Sequence, residues 1–78
     1  MFSIALRHEQ HTRQYDVSVS QPSGWELTLR EDLDRIKRVH FEDWHRVERA
    51  VAVVRLEVEN LTALGWRVEA AGGSLLES

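Results

Sequence analysis

The chain has 78 residues, 42% of them hydrophobic and 29% charged, with a formal net charge of −3 at pH 7. This length fits one domain, and a domain so small buries only about 60% of its unfolded surface. The absence of cysteine excludes disulfides and thiolate zinc sites, which often stabilise small folds. A second subunit is the remaining common source of stability for so small a domain. The negative net charge argues against a protein that binds polyanions in general.

The first residues do not predict a signal peptide. Residues 1–7 contain a very short apolar run and no early basic residue, so they do not fit a signal peptide. No segment approaches the roughly 20 apolar residues of a membrane span. We therefore expect a cytoplasmic protein that has no membrane partner.

Three segments alternate apolar and polar residues, as half-buried strands do. They are residues 2–8, 14–20 and 25–31. Their inward positions are Phe2, Ile4, Leu6, Tyr15, Val17, Val19, Trp25, Leu27 and Leu29. A weaker strand is predicted over 36–41, with Val39 and Phe41 inward and Lys37 on the same parity.

A hairpin is predicted at Gln21-Pro22-Ser23-Gly24. Pro22 suits the first central position of a type I turn, and Gly24 suits the left-handed conformation that follows it. A three-residue loop pairs Gln21 with Trp25. The further pairs in that register are Val19 with Leu27, Val17 with Leu29, and Asp16 with Arg30.

Residues 43–64 show the spacing of an amphipathic helix. The stripe consists of Trp44, Val47, Val51, Val54, Val58 and Leu61. Asp43 is the predicted N-cap, Gly65 ends the helix in a left-handed conformation, and Trp66 folds back onto Leu61. Residues 54–59 also alternate with a period of two, so a strand is the alternative there.

These elements predict an α+β fold. It is an antiparallel meander of three to four strands followed by one long C-terminal helix packed on one sheet face. We expect residues 1–71 to form the single domain. The glycine pair at the start of 72–78 predicts a disordered tail.

Three apolar residues, Val53, Leu56 and Leu64, lie off the main helical stripe. In a monomer they are exposed, and they are predicted to share one flank of the helix. We therefore expect a homodimer in which that flank or an edge strand is covered. The alternative is a monomer in which these are scattered surface residues.

The sequence offers no constellation for catalysis or for a metal. The histidines are His8, His11, His40 and His45, and nothing in the predicted layout makes them converge. No sharp nucleophile turn, Gly-rich oxyanion loop or Gly-rich phosphate loop is present. The prediction is a non-enzymatic protein without cofactor or metal.

A basic group surrounds the junction between the last predicted strand and the helix. Its candidate nucleic-acid contacts are Arg35, Lys37, Arg38 and Arg46. Cationic side chains on a sheet can bind single-stranded nucleic acid, but such surfaces usually add exposed aromatic residues, and here the aromatic residues are predicted inward. A solvated surface of mixed charge is the alternative.

The order of strands, then His40-Phe41, then a helix closing on Leu64-Gly65-Trp66 resembles the WGR domain, a nucleic-acid-associated module. The likeness covers about two-thirds of the chain, and the defining Trp-Gly-Arg triplet is absent. The same order is similar to the folds of the single-stranded-DNA-binding coactivators and the Whirly proteins. These resemblances imply no site residues here.

Taken together, the residues predict a small cytoplasmic protein-interaction module that forms homodimers and has a protein partner. Weak binding of single-stranded DNA or RNA through the basic group is the alternative function.

Overall fold

The computed structural model describes residues 2–32 and 34–73. The elements are β1 (Phe2–His8), β2 (His11–Val19), β3 (Trp25–Glu31), β4 (Arg35–Phe41), α1 (Trp44–Ala63) and β5 (Arg67–Gly73). The strands form one antiparallel sheet in the order β4-β3-β2-β1-β5. This confirms the predicted α+β meander with one helix, and it adds a fifth strand.

Strand β5 is the element that the sequence did not predict. After the helix the chain returns along β1, pairing Arg67 with Arg7 and Gly73 with Phe2, with one register shift between Ala5 and Leu6. Residues 72 and 73, which were assigned to the tail, therefore belong to the sheet. The other predicted tail residues, 74–78, lie outside the described part of the chain.

The β2–β3 hairpin forms with a register two residues away from the predicted one. Val19 pairs with Trp25, and Val17 pairs with Leu27. The predicted pair of Asp16 with Arg30 is wrong, because Asp16 faces Thr28. A shift of two residues leaves every side chain on its predicted face, so the hydrophobic pattern could not distinguish the two registers.

The loop of this hairpin is longer than predicted and includes a cis Gln21–Pro22 peptide bond. It is closed by the Ser20 amide, which donates to the Gly24 carbonyl at 3.0 Å. Gly24 has the predicted positive φ, at 87°. A side chain at this position would collide with the backbone carbonyl oxygen of Phe41, so the loop lies directly against the end of β4.

Both predicted ends of the helix are confirmed. The Asp43 carboxylate accepts a hydrogen bond from the His45 amide at 2.9 Å, as an N-cap does. At the other end Gly65 has φ of 106°, and the Trp66 amide donates to the Leu61 carbonyl at 2.9 Å. This left-handed ending satisfies carbonyls of the last turn. The alternative strand over 54–59 is excluded, because these residues are helical.

The core lies between the inner face of the sheet and α1. Its fully buried side chains are Leu6, Tyr15, Val17, Val47, Val51 and Val54. Half-buried Trp25, Phe41 and Trp44 extend this core at the start of the helix, where the rings of Trp25 and Trp44 are 5.1 Å apart.

Val19, which was predicted to be inward, is 61% exposed. It pairs with Trp25 on the neighbouring strand, and the first turn of α1 packs against Trp25 and not against Val19. The parity of Val19 was therefore predicted correctly, but the helix does not reach over this end of β2.

The neighbours Val53 and Val54 provide a matched test of the helix orientation. Val54 is 4% exposed and Val53 is 55% exposed. We expect Val54→Asp to lower the free energy of unfolding by about 3 kcal/mol or more, because it buries an unpaired carboxylate. At protein concentrations low enough to keep the chain monomeric, Val53→Asp should change it by only about 0.5 kcal/mol, because this side chain is already exposed. Urea unfolding followed by circular dichroism measures both, and equal losses would contradict this helix orientation.

Candidate interaction surface

The inner face of the sheet is wider than the helix that covers it. Five strands spaced about 4.8 Å apart place the edge strands about 19 Å from each other. A helix with its side chains is only about 10 Å across. Concave surfaces therefore remain on both flanks of α1.

The first concavity, the α1–β4 groove, has a volume of about 260 Å³. The residues that form it include Leu29, Lys37, Val39, Ala50, Val53 and Glu57. The second, on the opposite flank of α1, has a volume of about 520 Å³ and is lined by Trp44, Ala52, Arg55 and Leu56 among others. On that flank the Arg55 guanidinium lies 5.9 Å from the centre of the Phe2 ring.

The three predicted dimer contacts are exposed, as the sequence indicated. The exposed fractions are 55% for Val53, 61% for Leu56 and 73% for Leu64. They do not line one common concavity. Val53 borders the α1–β4 groove, whereas Leu56 borders the concavity on the other flank. Being three residues apart on a helix, Val53 and Leu56 are nevertheless neighbours on its solvent side.

The structure divides the predicted nucleic-acid contacts between the two faces of β4 and the helix. Lys37 lines the α1–β4 groove on the inner face. Arg38, the next residue, points to the opposite face, because strand side chains alternate. There its Nε lies 3.9 Å from a carboxylate oxygen of Glu26. Arg35 is two residues from Lys37 and therefore lies on the same, inner face of β4. Arg46 lies in the first turns of α1. The four residues do not form one patch.

The aromatic residues of the described strands are on the helix side of the sheet. Phe2, Tyr15, Trp25 and Phe41 all pack in the core clusters with α1. The outward positions of the described strands are occupied by other residue types, so the outer face lacks the stacking surface typical of single-strand binders.

The histidines lie at separate places and have separate partners. His8 stacks on Trp66 with ring centres 5.5 Å apart. His11 lies 3.5 Å from a carboxylate oxygen of Asp32, and His40 Nε2 lies 2.9 Å from Oε1 of Glu42. The described residues contain no group of three side chains that could hold a metal ion.

The hydrogen bonds around Glu42 order the end of β4. The His40 ring and the Ser23 hydroxyl both form hydrogen bonds with its carboxylate. These bonds hold the pKa of Glu42 below its usual value, and the bond with His40 has the larger effect. Since Ser23 belongs to the β2–β3 loop, this carboxylate connects that loop to the strand.

A polar network that the sequence did not reveal joins the helix to the sheet. The buried Tyr15 hydroxyl donates to Oε2 of Glu57 at 2.9 Å and accepts from Nη1 of Arg13 at 3.4 Å. Arg13 also lies 3.6 Å from Glu31 and 5.7 Å from the centre of the Trp66 ring. The alternating pattern indicated that Tyr15 was inward, but it contained no signal for a partner 42 residues away in the chain.

This network forms one end of the α1–β4 groove, since both Tyr15 and Glu57 line it. Burial raises the pKa of Tyr15, and its hydrogen bond to Glu57 acts in the same direction, whereas the bond from Arg13 opposes the rise. The phenol therefore stays protonated and continues to donate to Glu57 throughout the physiological pH range.

The comparisons with known proteins leave the family open. The chain shows no significant similarity to any protein-family model, curated protein or solved structure with which it was compared. The resemblance to the WGR domain accordingly stays a likeness of layout. In the described residues, no helix combines the length and the apolar character that crossing a membrane requires.

Replacing Tyr15 by Phe tests the network. We expect Tyr15→Phe to lower the free energy of unfolding by about 1 kcal/mol at neutral pH, because one buried hydrogen bond is lost. The pKa of Tyr15 is higher in the folded chain than in the unfolded chain, so the unfolded chain loses the phenol proton at a lower pH. The free energy of unfolding of the wild type therefore falls as the pH rises above about 10. The deficit of the variant should therefore shrink at alkaline pH.

The chain contains a single tyrosine, so its ionisation can be followed directly by absorbance. A titration midpoint equal to that of free tyrosine would contradict the burial of this hydroxyl.

Proposed function

We propose that the protein is a small interaction module without catalytic activity, and that it associates as a homodimer through the solvent side of α1. The observation that carries this proposal is the exposure of two large apolar side chains, Val53 and Leu56, three residues apart near the middle of the helix. In so small a domain, covering these side chains adds apolar burial to a marginal core.

The charges of α1 favour an antiparallel arrangement of the two helices. Its first half contains exposed Arg46 and Arg49 and one acid, Glu48, so its net charge is positive, whereas its second half contains exposed Glu57 and Glu59 and one base, Arg55, so its net charge is negative. A two-fold axis between Val53 and Leu56 brings the basic half of each helix near the acidic half of its partner. The same arrangement makes the interface self-complementary and sets the two helix dipoles antiparallel.

The length of the helix is sufficient for such an interface. Twenty residues extend about 30 Å, which is comparable to the dimensions of a standard interface burying about 800 Å² on each partner. Glu48 and Arg55, which oppose this charge order, line the concavity on the flank toward Phe2, and so does Glu59. The two halves of α1 therefore differ in net charge, and each half still contains one residue of the other sign.

A double substitution tests the proposed dimer. Val53→Glu with Leu56→Glu should leave the fold intact, since both side chains are exposed, and should convert the dimer to a monomer by placing four carboxylates at the contact. Light scattering after size exclusion, over a range of protein concentrations, measures the mass. The matched control is Val19→Glu, which changes an equally exposed apolar residue away from α1 and should leave the mass unchanged.

Thermal unfolding of each variant establishes whether it is folded. A wild-type protein that is monomeric at the highest concentration, or a folded double variant of unchanged mass, would refute association through this side of α1.

A further inference from the structure

Strand β4 is an edge of the sheet with its own charge. It pairs with β3 on one side, and its other side has no partner strand among the described residues. Backbone N–H and C=O groups on that side are open to another strand. Its seven residues include Arg35, Lys37 and Arg38 as well as His40, and no carboxylate, in a chain whose net charge is −3.

This positive charge is compensated only in part within the described residues. Arg38 has a surface contact at 3.9 Å with Glu26, and His40 lies next to Glu42. Arg35 lies opposite Glu31 on β3, and its charge contributes to lowering the pKa of Asp32, but neither Arg35 nor Lys37 lies within 4.0 Å of a described carboxylate oxygen. An added strand that carries carboxylates would therefore meet cations on both faces of β4.

The charge also disfavours pairing of β4 with a second copy of itself. If two copies of β4 pair in antiparallel fashion about a two-fold axis at Arg38, the two Arg38 residues lie opposite each other. If the axis is at Lys37, the two Lys37 residues lie opposite each other. Like charges directly opposite each other destabilise a sheet, and lysines on edge strands prevent self-pairing. The charge of β4 therefore disfavours pairing with a second copy of β4 and favours pairing with an acidic strand.

The α1–β4 groove adds an apolar element next to this edge. Val39 is half-buried on the inner face of β4, and Val53 faces it from the helix with 55% of its surface exposed. An apolar side chain on the inner face of an added strand would lie against these two valines and close the groove. Main-chain pairing combined with such side-chain contacts is a known mode of peptide recognition.

We propose that β4 binds an extended acidic segment of a partner protein as a sixth strand. Carboxylates of that segment pair with Arg35, Lys37 and Arg38, and one apolar side chain packs over Val39 and Val53. This goes beyond self-association, because it uses the edge of the sheet and shares only Val53 with the proposed dimer contact on α1. Its test is a peptide titration, whereas the test of the dimer is a mass measurement, so the two can fail separately.

The probe is a fluorescein-labelled, acetylated and amidated heptapeptide, Thr-Glu-Val-Glu-Glu-Val-Glu. In antiparallel pairing each glutamate falls opposite a cationic residue or His40, and each valine falls opposite Ile36 or Val39. Fluorescence anisotropy with the full chain should show saturable binding that weakens as salt is added, because the attracting charges are exposed.

Two further peptides separate strand addition from simple charge attraction. The first has lysine in place of every glutamate and should not bind. The second keeps all side chains but is N-methylated at alternate residues on the edge that faces β4. It retains the charges, lacks the main-chain donors, and should not bind either. Equal binding of the N-methylated peptide would overturn the proposal.

A matched pair of protein variants locates the site. Lys37→Glu should weaken binding of the acidic peptide about fivefold or more, since it replaces an attraction by a repulsion. Arg67→Glu makes the same charge change on β5, the opposite edge, and should leave the affinity unchanged. Circular dichroism and thermal unfolding establish that both variants are folded.

Other occupants of the edge would give different results. If a single-stranded oligonucleotide binds and the acidic peptide does not, β4 is a nucleic-acid surface and the proposal is wrong. The proposal is equally wrong if Lys37→Glu changes the mass of the protein without changing peptide affinity, because a second copy then occupies the edge. Equal effects of Lys37→Glu and Arg67→Glu would also overturn it.

Discussion

The fold depends on one helix covering a sheet of five strands. Because α1 is narrower than the sheet, it can bury only a central band of side chains, and the core accordingly runs from Leu6 through Tyr15 and Val17 to Val47, Val51 and Val54. The hydrogen bond between Tyr15 and Glu57 joins the second half of α1 to the middle of the sheet. The contact between the tilted rings of Trp25 and Trp44 holds its first turn over β3. The position of the helix between these two contacts leaves the inner face of β4 open at Arg35 and Lys37 and partly open at Val39, whereas Phe41 packs in the core.

The surfaces that remain uncovered differ in chemistry, and this difference separates the two proposed contacts. The solvent side of α1 combines apolar Val53 and Leu56 with a first half of net positive charge and a second half of net negative charge, and this is the basis of the proposed antiparallel pair. The edge of β4 carries cations without carboxylates, and this is the basis of the proposed pairing with an acidic strand. Val53 borders both surfaces, and occupation of one contact would therefore affect the packing at the other.

Several features of the fold were predictable because they depend on local chemistry. Asp43 caps the helix and Gly65 ends it through interactions within a few residues, which a sequence pattern contains. The register of the β2–β3 hairpin was not predictable in the same way, because registers two residues apart place the same side chains inward. Strand β5 was missed since Ala70, Ala71 and the glycines show no alternation. It is held by backbone pairing to β1, which requires no alternating pattern, and by the ion pair between Glu69 and Arg7.

By itself, the sequence determined the helix, its two ends, the faces of the first four strands and the exposure of Val53, Leu56 and Leu64, because each follows from periodicity or from a local conformational preference. Only the tertiary structure decided which of these side chains meet. Lys37 and Arg38 are adjacent in the chain but lie on opposite faces of β4, so the predicted basic group was divided. Tyr15 and Glu57 are far apart in the chain but joined by a hydrogen bond. The reason is that contacts between elements depend on the position of the helix across the sheet, and no local pattern contains that position.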